Sequence, residues 1–278
     1  MKPAFLTNHA FLADIETHRG HPGLRVWWLG QSGFLLHYDS HYALFDPYLS
    51  DSLTDKYAAT DKPHVRLTEL VIDPALLTGI TLVTSSHNHT DHLDAHTLLP
   101  LRAANPNFAL IVPEANRAFA AERLHCDPAS LTGLIDGQQF ELGPFTIEAL
   151  PAAHEALDTD ELGRHHYLGY VLTVGPYRVY HSGDTVLYEG LAERLSAFDL
   201  HLALLPINGA KPERRVAGNL NGNEAAVLAR QAGIDLVIPC HYDMFAFNTA
   251  NPEDQFIPTC KAIRQPYRVL RNGEGVTL

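Results

Sequence analysis

The sequence predicts an α/β (α+β) protein whose sheets are covered by helices. Two observations carry this expectation. Short apolar runs rich in β-branched and aromatic residues recur from end to end, separated by Gly, Pro, Asp and Ser turn signals. Between them lie stretches with recognisable helix starts and stops. Hairpins and strand–helix units therefore alternate along one chain. At 278 residues the length allows one large domain or two small ones. No linker-like stretch interrupts the pattern, so a single domain over residues 1–278 is expected.

In chain order, strands are expected at 24–29, 34–38 and 42–45, with Gly30 and Asp39-Ser40 as the turns between them. A strand at 80–84 is followed by a helix at 91–104, which opens on an acidic residue and stops before Asn105-Pro106. A strand at 108–112 leads through Pro113 into a helix at 114–124. The strand at 145–150 follows Gly143-Pro144, and those at 169–174 and 177–180 flank Gly175-Pro176 as a hairpin. Strands at 200–205, 236–238 and 267–270 complete the set. A helix at 223–231 follows a Gly-Asn cap signal and stops at Gly233, and another at 252–264 opens with Asn251-Pro252-Glu253. The polar stretch 51–63 and the acidic stretch 155–166 read as loops at the rim of a site.

Composition narrows the function classes. Apolar residues make up 46% and charged residues 19%, with a net charge of −12. An acidic surface repels a phosphate backbone, so a nucleic-acid polymer is not an expected partner. The three cysteines, Cys126, Cys240 and Cys260, form no C-x-x-C pair, and reduced thiols are the simplest reading. The N-terminus lacks the unbroken apolar core of a signal peptide, and no apolar run reaches the ~20 residues needed to cross a bilayer. A cytoplasmic protein with no membrane contact is expected.

The chemistry concentrates at Ser86-His87-Asn88-His89-Thr90-Asp91-His92-Leu93-Asp94, an H-x-H-x-D-H pattern delivered by the strand at 80–84. Imidazole and carboxylate together suit borderline metals such as zinc, manganese or iron. The spacing is too tight for one mononuclear cage to use every group, and it suits two neighbouring ions. Three further strands end in a metal-competent residue: His154, Asp184 and His241. Any one of them alone reads more readily as a structural residue. Together with the first motif they complete two sets. His87, His89 and His154 would serve one ion, Asp91, His92 and His241 a second, and Asp184 would bridge ions ~3.5–4 Å apart.

With these residues placed, the chain resembles the metallo-β-lactamase-fold hydrolases over nearly its whole length. The likeness runs through Trp28-Leu29-Gly30-Gln31-Ser32-Gly33-Phe34, Phe45-Asp46-Pro47-Tyr48-Leu49-Ser50-Asp51, the seven metal-competent residues and Ser182-Gly183-Asp184-Thr185. Asn219, Glu224-Ala225, Ile238-Pro239-Cys240-His241-Tyr242-Asp243-Met244-Phe245, Asn248 and Asn251-Pro252-Glu253 are similar to the L-ascorbate-6-phosphate lactonase branch. The resemblance implies a four-layer αβ/βα sandwich with its metals at one edge between the sheets. It also implies a cytoplasmic, often manganese-dependent hydrolase that forms a homo-oligomer.

The expected function is a hydrolase with one or two divalent ions (Mn2+ or Zn2+, Fe as a further option). A metal-bound hydroxide would open a small anionic ester or lactone, chiefly a phosphorylated sugar-acid lactone. Asp91 is the expected catalytic residue, positioning the nucleophile or shuttling its proton. Asn208, Lys211, Arg214 and Arg215 are candidates for phosphate binding, with a solvated basic loop as the equally weighted alternative. Tyr242 and Asp243 adjoin a proposed ligand and are candidate substrate contacts. The resemblance also implies that Asp46 lies near the site, where it would orient a ligand histidine, with a turn-forming Asp before Pro47 as the equally weighted alternative. Cys240 is read as a buried structural thiol, and His165, His166 and His181 as surface or sheet residues. Two other classes compete: a metal-dependent phosphodiesterase or nuclease acting on small phosphodiesters, and a non-catalytic metal-binding scaffold.

Overall fold

The computed structural model describes residues 1–278. Its strands are β1 (Arg25–Gly30), β2 (Gly33–Tyr38), β3 (His41–Phe45), β4 (Ile80–Thr84), β5 (Ala109–Pro113), β6 (Thr132–Leu134), β7 (Gln139–Leu142), β8 (Phe145–Pro151), β9 (Leu168–Val174), β10 (Tyr177–His181), β11 (Leu202–Pro206), β12 (Leu236–Cys240) and β13 (Gly275–Thr277). The helices are α1 (Asn8–His18), α2 (Ser52–Tyr57), α3 (Ala95–Ala104), α4 (Arg117–Arg123), α5 (Leu191–Ser196), α6 (Gly222–Gln231) and α7 (Phe256–Ile263). One sheet runs in the order β13-β1-β2-β3-β4-β5-β6, the other β12-β11-β10-β9-β8-β7. Both mix parallel and antiparallel pairs.

Side-chain alternation along the strands builds the layers. In the first sheet Trp28, Phe34, Leu36, Phe45 and Leu82 turn inward to the core shared with the second sheet. Their chain neighbours Trp27, Leu29, Leu35, Leu44 and Val83 turn outward, against Phe11 of α1, Leu98 and Leu101 of α3 and Ala120 of α4. The second sheet is covered on its far side by α5, α6 and α7, through residues such as Leu195, Leu228 and Phe256. The result is helices, sheet, sheet, helices, the sandwich that the sequence predicts. Each large side chain fully buried in these layers contributes about 1.5–3 kcal/mol.

Strand direction places the site. β1 is antiparallel to β2, β2 to β3, and β3 is parallel to β4, so β1, β3 and β4 end at one edge of their sheet. In the second sheet β8 and β10 are each antiparallel to β9, and β10, β11 and β12 are mutually parallel, so β8, β10, β11 and β12 also share an end. Every metal-competent residue singled out in the sequence follows one of these strand ends.

The structure corrects several elements. The helix expected from residue 91 begins at Ala95, because the Asp94 side chain accepts from His96 N–H as the N-cap. Asp91 and His92 are thereby left in a turn. The helix expected at 114–124 is split into a 3₁₀ turn, Glu114–Asn116, and α4. Residues 252–255 stay outside α7. The run at 267–270 makes only a single bridge, Val237 to Tyr267. β6, β7, β13, α1, α2 and α5 have no counterpart among the elements that the sequence predicts. Most are short, and β13, three residues long, owes its extended form to pairing with β1.

Candidate metal centre

Residues 85–94 form a non-helical loop after β4, and this loop aims four candidate ligands at one point. His89 C=O accepts from the N–H groups of both His92 and Leu93, which curls the segment back on itself. The Asp94 carboxylate anchors its far end, accepting from Ser50 Oγ at 2.6 Å, Ser52 Oγ at 2.9 Å and Thr97 Oγ1 at 2.6 Å. Gly183 lets the Asp184 loop close against it. Gly183 has φ +59°, and a Cβ there would lie 2.5 Å from Ser86 Cβ.

The geometry brings all seven residues together. The donor atoms of His87, His89 and His154 lie within 4.8 Å of one another, as do those of Asp91, His92 and His241, and those of His87, His92 and Asp184. Asp184 reaches both trios. Its Oδ1 is 3.3 Å from His92 Nε2, and its Oδ2 is 3.3 Å from His241 Nε2 and 3.8 Å from His154 Nε2. His89 is the exposed member of its trio, whereas His87, His92, His154, Asp184 and His241 are buried.

These residues fit a divalent cation. His87 Nε2, His92 Nε2 and Asp184 Oδ1 are buried with no hydrogen bond to satisfy them, although His92 Nε2 and Asp184 Oδ1 approach to 3.3 Å as an ion pair. Buried orphans of this kind are costly unless another group meets them. Charge gives the same answer. Burial disfavours ionised Asp184, yet His241 and His92 outweigh that penalty and hold its carboxyl well below the usual range. Burial also disfavours protonated His92, but Asp184 and Asp91 outweigh it and raise its pKa well above the ordinary imidazole value. Asp91 and Asp184 thus place negative charge where a cation, or a proton on His92 in its absence, is favoured. Burial and the neighbouring imidazoles of His92 and His89 push His87 well below its usual pKa, leaving it neutral, as a ligand must be.

A ring of outer contacts fixes the ligands. Asp46 Oδ2 sits 2.7 Å from His92 Nδ1 and so selects Nε2 as the nitrogen facing the site. Asp46 also accepts from Thr84 Oγ1, Ser86 N–H and Ser86 Oγ, which pins the start of the ligand loop. His154 Nδ1 is 3.0 Å from Gly218 C=O.

The site opens into a cleft of about 430 Å³ lined by, among others, Gln31, Lys56, Arg123, Arg215, Phe245 and Asn248. Of the residues expected to meet substrate, Arg215 alone lines this cleft. Asn208, Lys211 and Arg214 face a separate hollow near the start of α6. Arg214 is buried because its guanidinium is spent on Asn208 C=O, Asn248 Oδ1 and Thr249 C=O. Asn208 is buried among Asn219 and Asn248. Tyr242 packs on Trp28, with rings 4.4 Å apart, and donates its hydroxyl to Leu270 C=O. Asp243 pairs with Lys2 at 2.8 Å. Cys240 is buried, and burial pushes its thiol well up. His181 is buried in the sheet, stacked on Phe45, with Nε2 2.8 Å from Ser32 C=O.

The segment 51–63 supplies Leu53, Lys56 and Tyr57 to the cleft, whereas 155–166 contributes none of its lining. Gln31, Lys56, His64 and Arg123 escaped the sequence reading as site residues. Gln31 stands in the Trp28–Phe34 motif and Lys56 in the polar stretch 51–63, so both carry a signal in the sequence. Arg123 gave no signal, because only the packing of α4 beside Asn88 brings it in, where it donates to Asn88 C=O at 2.6 Å.

Comparison with known proteins agrees with this geometry. The family described as the beta-lactamase superfamily domain matches residues 41–242. A "UPF0173 metal-dependent hydrolase" of Methanoculleus marisnigri is 30% identical over 196 residues, covering 66% of this chain and 78% of its own length. A relative with the same description in Opitutus terrae is 29% identical over 259 residues, 91% of this chain and 99% of its own. The crystal structure of a possible metal-dependent hydrolase from Veillonella parvula superposes with a TM-score of 0.74 at 17% identity, covering 92% of this chain and 100% of the other. That last likeness is one of fold. No helix here is long and apolar enough to cross a membrane.

Proposed function

The chain belongs to the beta-lactamase superfamily and, within it, to the UPF0173 metal-dependent hydrolases, and from that premise we propose that it opens a small anionic ester or lactone, with a phosphorylated sugar-acid lactone such as L-ascorbate 6-phosphate as the preferred substrate. The observation that carries this reading is the pairing of two ligand trios, joined by Asp184, with a small cleft edged by Lys56, Arg123 and Arg215. A volume of about 430 Å³ suits a compact molecule. The cations suit its negative charge.

His87, His89 and His154 would hold one ion and Asp91, His92 and His241 another, with Asp184 between them. Bound there, two divalent cations would supply an acidified water and a Lewis acid for the attacked carbonyl oxygen. Asp91 lines the cleft, and its Oδ2 accepts from Gln31 Nε2 at 2.7 Å, so the carboxylate is oriented before substrate arrives. In this position Asp91 would hold the attacking water and receive its proton. Arg215 would bind the remote anionic group, and Phe245 and Phe247 would exclude water from the adjoining wall. The protein is further proposed to act as a homo-oligomer and in the cytoplasm.

Hydrolysis of L-ascorbate 6-phosphate by manganese- and zinc-loaded protein tests the reading, with a small cyclic phosphodiester run in parallel. Turnover of the lactone that disappears in Asp91→Ala is the expected result. Cleavage of the phosphodiester with no turnover of the lactone would replace this reading with that of a phosphodiesterase.

A further inference from the structure

One arginine and three asparagine side chains run in series behind a wall of the cleft. Arg214 Nη1 donates to Asn248 Oδ1 at 3.1 Å, and Asn208 Nδ2 donates to the same oxygen at 3.0 Å. Asn219 Nδ2 in turn donates to Asn208 Oδ1 at 3.1 Å. All four residues are buried. The direction of this series is not free. A side-chain amide can be turned end for end, since its oxygen and nitrogen are nearly alike in shape. A guanidinium only donates. The Asn248 atom that faces Arg214 is therefore its oxygen. The Asn208 atom that meets this oxygen must be nitrogen, and so must the Asn219 atom that meets the Asn208 oxygen. The arginine thus sets the polarity of every amide in the series. That polarity is kept at a cost, because Asn219 Oδ1 is left buried with no partner.

The consequence for the cleft lies at Asn248. Its Oδ1 is held by two donors, so Nδ2 is the unspent end of the side chain. Nδ2 donates to no protein atom and, unlike Asn219 Oδ1, it is not enclosed. Asn248 lines the metal cleft and not the hollow that Asn208 and Arg214 face, so this N–H donor opens into the cleft. The backbone around it is fixed as well. Asn248 N–H donates to Phe245 C=O at 3.1 Å, and the next carbonyl, that of Thr249, accepts from Arg214 Nη2 at 2.8 Å. A donor held this way loses little freedom when a ligand meets it.

We propose that Asn248 is a specificity-determining residue of the cleft, its Nδ2–H groups donating to an anionic or carbonyl oxygen of the substrate. The proposal rests on the hydrolase reading of the site, and adds to the cleft's cations a neutral donor of fixed polarity. Asn248 makes no hydrogen bond to any of the seven metal-competent residues, so its effect falls on substrate binding and not on the metals.

Steady-state kinetics of the metal-loaded protein test this, on L-ascorbate 6-phosphate and its dephosphorylated analogue, or on the cyclic phosphodiester if wild type cleaves that instead. Metal content and melting temperature are read alongside. Asn248→Asp keeps the oxygen that Arg214 and Asn208 require and puts a second oxygen where the nitrogen was. Asn248→Leu is similar in size and carries neither donor nor charge. Asn248→Leu should raise KM about 10–100-fold, the scale of one hydrogen bond to a charged group. Asn248→Asp should raise it further, with the wild-type melting temperature. In both variants kcat and metal content should stay near wild type, the pattern of lost binding that is uniform along the reaction. If Asn248→Leu is too unstable to assay, Asn248→Asp decides at ~1 M salt, where the added charge is screened and the lost donor is not. A KM rise confined to the phosphorylated substrate assigns phosphate as the acceptor, and a rise on both assigns the ring; each upholds the proposal. An active wild type with unchanged KM in the variants overturns the proposal alone, as does a KM rise that accompanies loss of metal. A metal-loaded wild type that turns over none of these substrates defeats the hydrolase reading, and the proposal with it.

Discussion

The floor of the cleft and its rim are built on different principles. The floor hangs from strand ends and is held by buried contacts: Asp46 on His92, Gln31 on Asp91 and His241, and the Gly218 carbonyl on His154. The rim is assembled from segments near residues 56–64 and 211–217, which are joined by surface contacts. Arg215 pairs with Asp61 at 2.7 Å with both side chains largely exposed, and Lys62 Nζ donates to Glu213 C=O at 2.9 Å. Fixed dipoles and buried partners keep a reactive centre in place without reorganisation. Exposed ion pairs exchange readily with water and with a ligand. On the proposed function, the floor is where chemistry would be set and the rim where substrates would be selected.

The largest break in this comparison is expected from Asp184→Ala. Asp184 reaches His92, His154 and His241, so its loss should strip metal from both trios. Metal content by elemental analysis should fall below one ion per chain. Activity should fall by more than the ~10–100-fold typical of an outer partner. Two retained ions would remove Asp184 from the shared position. Asp46→Asn comes next. It keeps the shape but loses the charge facing His92, and it disturbs acceptors for Thr84 and Ser86. Zinc affinity at the second trio should drop about 10–100-fold. Burial opposes the charge on Asp46, yet His181, His92 and Ser86 outweigh it and hold its carboxyl below the usual range, so the charged form is the one this pocket is built for.

Legibility in the sequence follows the same division. His87, His89, Asp91 and His92 stand within six residues, and His154, Asp184 and His241 each follow an apolar strand, so local pattern suffices to find them. The layered sheets were legible for a similar reason, since strands such as β2, β4 and β8 carry their own apolar runs. What stayed hidden depends on distant parts of the chain. β13 exists through β1, and Arg123 reaches the cleft through helix packing. The adjacent Arg214 and Arg215 look alike as letters, yet one is spent inside the protein and the other faces the cleft. Adjacency to His241 does not bring Tyr242 and Asp243 into the cleft. The chain turns sharply there, with φ +60° at His241 and +54° at Asp243, and sends their side chains toward Leu270 and Lys2 instead.

The arginine pair gives the finest test of floor against rim. Arg214→Ala removes a buried guanidinium and leaves the Asn208 and Thr249 carbonyls short of donors, so it should destabilise the fold by about 1–3 kcal/mol. A lowered melting temperature with little change in KM is the expected outcome. Arg215→Ala should do the reverse, keeping the melting temperature and raising KM for a phosphorylated substrate but not for its dephosphorylated analogue. Asp61 sharpens the contrast. Its carboxylate occupies Arg215, and the Arg215 hydrogen bond holds it below the usual pKa, so an incoming anion must compete with it. Asp61→Asn frees the guanidinium and should lower KM for the phosphorylated substrate alone. If both arginine variants shift KM equally for charged and uncharged substrates, then the rim does not read charge, and discrimination lies with the floor.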